Sequence, residues 1–478
     1  MRRSGSILVG VLWCMVLLSV LVIGVLHTAR MDLTVVKNYG DRVQAHYLAL
    51  AGVERAKALL FQDVITRQQT AKNHTGSLYD DAKNFQDVAL GRGKFQVFRR
   101  APEDEGGGII YGISDEESRL NLNTASAVQF TNLAGMTSDI LGAIMVWRSP
   151  ATQNPAGQDS TTQGSTTQSS GNQGGANSDY YMSLKPPYLA RNGPFQTVRE
   201  LLMVRGVTPA LLLGNDDNQN GFLDSEDDPA DQGPPGSPPP PPPNPGWAAL
   251  LTVTDTDKNV DAAGKDRVNA QTADEATLTA VPGITPDIAK AIVAYRGQHP
   301  LQSLDDLLSV TPPQNGNQSG ANGNPGDASN PQPVANQPGG QNDSGNAGPT
   351  VISTDLLEQM ADTLTLASGT DLAGLININT ANIEVLLCLP GVERNLAQAI
   401  VNYRKSTGYY DNVAGLLKVD GMTRAIFKQV APLVTTRSET FRIVAEGKIN
   451  SSGARQRMEV IVHIGRSDIE TLAYREDL

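Results

Sequence analysis

Met1-Arg-Arg-Ser-Gly5 runs straight into Ser6-Ile-Leu-Val-Gly-Val-Leu-Trp-Cys-Met-Val-Leu-Leu-Ser-Val-Leu-Val-Ile-Gly-Val-Leu26, a basic leader followed by 21 residues without a charge. About 20 apolar residues cross a bilayer core as a helix. No small-residue cleavage site follows Leu26, so the pattern differs from a secretory signal peptide. Arg2 and Arg3 place the leader in the cytoplasm and everything after Leu26 on the far side of the membrane. Residues 27–65 contain no proline, and Ala45, Leu48, Ala49, Gly52, Val53, Ala56, Leu59 and Leu60 recur at helical spacing. One helix over residues 6–65 would measure ~90 Å, transmembrane over 6–26 and beyond the membrane over 27–65.

Strand-like runs come next. Lys94-Phe-Gln-Val-Phe98 and Gly108-Ile-Ile-Tyr-Gly112 flank an acidic, glycine-rich turn at 103–107. Residues 440–447, 457–464 and 471–475 alternate apolar and polar side chains, as half-buried antiparallel strands do. The stretch 114–434 reads helical. The expected fold is therefore α+β: a long N-terminal helix, a small antiparallel sheet built from 66–113 and 435–478, and a mainly α-helical domain inserted between the two parts. Residues 149–178, 229–246 and 311–349 are low in apolar side chains and read as surface insertions. The proline run 238–243 suits a stiff spacer.

A repeat occupies the insert. Its copies read Asn121-Leu-Asn-Thr-Ala125 to Arg148, Asn269-Ala-Gln-Thr-Ala273 to Arg296, and Asn377-Ile-Asn-Thr-Ala381 to Arg404. In each, 12 residues separate the Asn or Gln before Thr-Ala from a glycine, and 13 more lead to the arginine. This is a helix–hairpin–helix pattern, with Gly135, Gly283 and Gly391 at the tight turns. Thr124, Thr272 and Thr380 can cap a helix or sit just inside it. Weaker second units follow at 193–207, 301–308 and 410–422.

Hairpin amides at a helix start can hold phosphate. Here the second glycine usual in DNA-binding hairpins is replaced by Thr137, Thr285 and Glu393, with Asp139 and Asp287 close by. The chain carries a net charge of −12 over 478 residues. Both facts oppose nucleic acid as a partner and favour packing as the role of the repeats.

Asp216-Asp-Asn-Gln-Asn-Gly-Phe-Leu-Asp-Ser-Glu-Asp227 matches the twelve-residue calcium loop. Asp216, Asn218 and Asn220 fill the first alternate positions, Phe222 offers its carbonyl, and Asp224 and Asp227 complete the oxygen set for a calcium cofactor. Position twelve is Asp, with less bidentate reach than Glu, and Pro229 precludes a full helix–loop–helix hand. Cys14 and Cys388 lie too far apart in the chain to suggest a disulfide. The five histidines lack metal spacing, and no zinc-protease, nucleophile-elbow or P-loop motif occurs, so no enzyme is expected.

The leader resembles that of type IV pilins, which implies prepilin peptidase cleavage between Gly5 and Ser6; a plain signal anchor reads the same residues. Most pilins carry Glu at the fifth mature position, where this chain has Gly10. Together with Tyr111-Gly-Ile-Ser-Asp-Glu-Glu-Ser-Arg-Leu-Asn-Leu-Asn-Thr124, Asp179-Tyr-Tyr181, Ala190-Arg-Asn-Gly-Pro-Phe195 and Glu200-Leu-Leu-Met-Val-Arg-Gly-Val-Thr208, it resembles the type II secretion system protein K family of minor pseudopilins. The resemblance implies a pilin-like fold with an inserted helical domain. It also implies an inner-membrane anchor with residues 27–65 and the bulk of the chain in the periplasm, and a place at the tip of the periplasmic pseudopilus, with other minor pseudopilins as partners. The long insertions and the central repeat at 269–296 depart from that family. The alternative is a membrane-anchored helix–hairpin–helix protein that binds or takes up DNA.

Overall fold

The structure, a computed structural model, describes residues 4–71, 76–102, 105–149, 178–214, 246–312 and 350–476. Helix α1 (Ser4–Thr70) is unbroken over 67 residues, about 100 Å at 1.5 Å per residue. It runs five residues past the expected end at Ile65, because no proline or glycine intervenes. Gly5 and Ser6 fall in its first turns. From Leu8 its apolar first half is exposed among the described residues, whereas Ala45, Leu48, Ala49, Val53, Ala56, Leu60 and Val64 are buried. Those positions share one helical stripe.

The stripe lies on a six-stranded sheet. Its members are β1 (Val88–Leu90), β2 (Gly93–Val97), β3 (Ser114–Asp115), β4 (Thr440–Ile449), β5 (Arg455–Ile464) and β6 (Ile469–Glu476). The order is β1-β2-β4-β5-β6, with β3 pairing the start of β4, and every pairing is antiparallel. Phe441, Ile443 and Ala445 of β4 and Met458, Val460 and Val462 of β5 bury their alternate faces with α1. The contact is close because glycines stand where the surfaces meet. A Cβ on Gly447 would lie 2.6 Å from Ala49 N and 2.7 Å from Leu48 Cβ.

The chain leaves the sheet at β3 and returns at β4, so the insert hangs from two paired strands. The expected run at 108–112 contributes only Ile109–Ile110, which pairs with Arg99–Arg100 across the acidic turn. The insert is also less purely helical than its sequence reads. Each repeat begins with a two-residue strand that pairs, in parallel, with a strand far downstream. Leu120–Asn121 joins Leu251–Thr252, Val268–Asn269 joins Leu364–Thr365, and Ile376–Asn377 joins Val434–Thr435. The insert is therefore three closed units, each containing two helix–hairpin–helix motifs, over one shared core. The last strand of the third unit takes residues 434–435, so the sheet proper resumes at Thr440. Nearly all of the low-complexity stretches 149–178, 229–246 and 311–349, and the whole calcium loop at Asp216, Asn218, Asn220, Phe222, Asp224 and Asp227, lie outside the described residues.

Candidate functional site

The repeat residues that stand out in the sequence hold the units shut. The side-chain oxygens of Asn121, Asn269 and Asn377 accept from the backbone N–H two residues on, at 2.7, 2.8 and 3.0 Å. The next polar residue reaches across to the second motif. Asn123 Oδ1 accepts from Phe195 N at 2.7 Å, Gln271 Oε1 from Leu301 N at 2.8 Å, and Asn379 Oδ1 from Tyr410 N at 2.8 Å. Asn379 Nδ2 also donates to the carbonyl of Thr436 behind the closing strand, at 2.9 Å. The spaced arginines turn back on their own motif. Arg148 donates to Leu122 O at 2.8 Å, Arg296 to Ala270 O at 2.7 Å, and Arg404 to Ile378 O and Ala381 O at 2.9 and 2.7 Å. A guanidinium so used satisfies carbonyls that would otherwise be buried without donors.

Gly135, Gly283 and Gly391 adopt φ of 80, 89 and 73°, the left-handed region the hairpins require. Each turn packs on the second motif of its own unit: a Cβ on Gly135 would meet Leu211, and one on Gly283 would meet Leu356. The expected caps are misplaced by two positions. Ser126, Asp274 and Asn382 cap the first helices, while Thr124, Thr272 and Thr380 stand in the turns before them. Thr137 and Thr285 cap the second helices at 3.3 Å, filling the amide site that phosphate would use. Basic residues around the third unit's hairpins are also engaged. Arg424 forks onto Asp305 at 3.0 and 3.1 Å, Lys428 meets Asp306 at 2.6 Å, and Arg394 meets Glu384 at 2.9 Å. The first two pairs clamp the second unit to the third.

In the first unit, Trp147 is buried beside Tyr181 and Phe195, and its Nε1 donates to Glu200 at 2.9 Å. Glu200 also accepts from Arg191 Nε at 2.6 Å and Gln196 N at 3.0 Å. Burial acts to raise this carboxyl, but these donors outweigh it and hold it below the usual range. The segments 179–181, 190–195 and 200–208 thus form one packing module that fastens the two motifs together.

Residues 118–213, which span this module and both motifs of the first unit, match the family model described as type II secretion system protein K. The first unit is thus similar to that family over those residues. Residues 264–312 and 373–435, in the second and third units, match the helix–hairpin–helix motif model. Endonuclease/exonuclease/phosphatase family domain-containing protein 1 of Rattus norvegicus is 28% identical over 167 residues, 35% of this chain and 27% of that protein. ComE operon protein 1 of Bacillus subtilis is 33% identical over 63 residues, 13% of this chain and 31% of that protein. The chain thus spans less than a third of the length of either relative. A crystal structure of the GspK-GspI-GspJ complex from the enterotoxigenic Escherichia coli type 2 secretion system contains a chain similar to this one at TM-score 0.42 and 11% identity, covering 93% of this chain and 99% of that one. That likeness is too loose to carry an argument.

Where the first unit meets the sheet, the stretch 111–124, which the sequence marks only as family-like, carries a buried acidic cluster. Asp115, Glu116 and Glu117 are all buried there. Glu116 is gripped by Arg442, Nε to Oε2 at 2.8 Å and Nη2 to Oε1 at 2.6 Å. Asp115 accepts from Asn377 Nδ2 at 2.9 Å, from Ser438 Oγ at 2.6 Å and from Thr380. Among the described residues no group of three or more His, Cys, Asp or Glu is arranged to hold a metal ion. Cys388 is buried, and burial pushes its thiol up to about 12, so it is inert as a nucleophile.

Proposed function

We propose that this chain is a minor pseudopilin of a type II secretion system, capping the tip of the periplasmic pseudopilus and supporting its assembly. The observation that carries this reading is a unit similar to the protein K family mounted on a helix-and-sheet scaffold whose helix is half uncovered. The bare apolar half is a membrane anchor before assembly and a bundling face for other minor pseudopilins after it. Gly10 stands where pilins carry Glu, and a buried carboxylate in lipid needs a partner. A subunit without it makes no demand on a neighbour below, as suits the first or outermost position. The role is assembly and not catalysis.

Prepilin peptidase is expected to remove residues 1–5. Intact mass of the protein from membranes, with and without co-expressed peptidase, reads this directly. A new N-terminus at Ser6 supports the pseudopilin; an uncut Met1 in the presence of active peptidase overturns it. The helix–hairpin–helix matches favour a second reading, anchored DNA binding. The engaged arginines and capped hairpin amides weigh against it, and a salt-dependent shift of duplex DNA would revive it.

Calcium is proposed at Asp216, Asn218, Asn220, Phe222, Asp224 and Asp227. Adding calcium at a hundredfold excess over Kd should stabilise the protein by ~2.7 kcal/mol, seen as a rise in Tm. Asp216→Ala with Asp224→Ala should abolish the rise; an undiminished rise would remove the assignment.

A further inference from the structure

Four carboxylates, Asp115, Glu117, Asp255 and Asp257, converge at the joint between sheet and insert, and among the described residues none has a cation as its hydrogen-bond partner. Glu117 is 1% exposed. Its Oε1 accepts the N–H groups of Glu439 at 3.0 Å and Thr440 at 3.2 Å, where β4 begins. Its backbone carbonyl accepts from Asn377 N at 2.8 Å, where the third unit begins. Its Oε2 is buried with no hydrogen-bond partner among the described residues, and so is Asp255 Oδ2.

The cations near the joint bond other groups first, and Arg67 keeps a buried Nη1 without a hydrogen-bond partner among the described residues. Arg442 and Arg119 flank Glu116, Arg437 bonds Asp362, Arg67 lies 3.8 Å from Glu439, and Lys258 bonds Asp371. His463 stands 4.0 Å from Glu439, and Tyr79 faces Asp115 and Glu117. Ionising a carboxylate oxygen that is sealed in such a place without a hydrogen-bond donor is costly.

We propose that Glu117 carries a proton in the folded protein and acts as a pH-sensitive latch between the sheet and the inserted domain. Protonated, it leaves its two backbone bonds intact and removes its own repulsion with Asp257, Asp115 and Asp255. Burial, then the charges of Asp257 and Asp115, push its carboxyl well above the usual range. Burial likewise raises Asp255 to about 6 and, with Asp257, raises Glu439. A carboxyl raised on folding contributes most at acid pH. Its contribution declines as pH climbs above the unfolded value toward the folded one. The joint is thus tightest in mild acid and loosens toward alkaline pH.

Amide hydrogen exchange on the full-length protein in detergent tests this, read at 115–120, 376–381 and 435–441 and corrected for intrinsic rates. Protection at those amides should fall by about tenfold or more between about pH 5.5 and about pH 8.5. Glu117→Gln, neutral and isosteric, should retain at the higher pH the protection the native chain has only in acid. Asp257→Asn, which removes the strongest neighbouring charge, should move the midpoint of the change to lower pH. Constant protection in the native chain, an equal fall in Glu117→Gln, or an unmoved midpoint in Asp257→Asn overturns the latch.

Discussion

Gly447→Ala lifts α1 from the sheet and costs at least ~3 kcal/mol, the upper end of what overpacking usually costs. The added methyl would overlap the Ala45 carbonyl oxygen and press on Ala49 N and Leu48 Cβ. These are mostly backbone atoms of a continuous helix, so no rotamer change relieves them. Gly52→Ala, on the helix side of the same interface, is the control. Its Cβ would lie 3.1 to 3.3 Å from Phe95, Ala445 and Val97 side chains, which can give by a few tenths of an ångström. Thermal or denaturant unfolding of the two variants should rank Gly447→Ala well below Gly52→Ala. Equal stabilities would mean that the close helix–sheet approach is wrong.

Glu116→Ala has the next largest effect, ~3–5 kcal/mol, because it strands the Arg442 guanidinium in a buried place. Glu459, 3.4 Å from Arg442 Nη1, recovers part of the loss and places the expected value toward the lower end. The pH dependence is diagnostic. Burial alone would raise the Glu116 carboxyl, but the charges of Arg442 and Arg119 overcome it and hold it at about 2. A carboxyl depressed on folding contributes fully above its unfolded value of about 4.5. That contribution is lost as pH falls toward 2. The native chain should therefore lose stability in acid, and Glu116→Ala should flatten that loss. An acid limb as steep in the variant as in the native chain would show that the pair is not the cause. Glu116 and Glu117 are sequence neighbours with opposite signs of pH dependence. The difference is whether a guanidinium or three carboxylates face the side chain.

The sequence by itself determined the long helix, its buried stripe, the alternating strands and the helix–hairpin–helix repeats with their hairpin glycines. These are encoded by short-range periodicity and by φ requirements, which a linear pattern carries intact. It also exposed the family-like segments at 179–208, although not that Trp147 and Glu200 bind them into one module. The tertiary structure alone decided how the repeats close. A two-residue strand such as Val268–Asn269 has no detectable period, and its partner Leu364–Thr365 lies far along the chain. The caps fell two residues from their expected threonines because the Asn-led turn must finish before the helix can start. The arginines at fixed spacing proved to serve carbonyls of their own motif, a role that their charge alone does not disclose. The joint was legible only in part. Asp-Glu-Glu at 115–117 stands in the family-like stretch 111–124, but its burial is decided by residues 255–257, 377–380 and 437–442, which fold around it. Whether a carboxylate there is ionised or protonated depends on what surrounds it, and only the fold decides that.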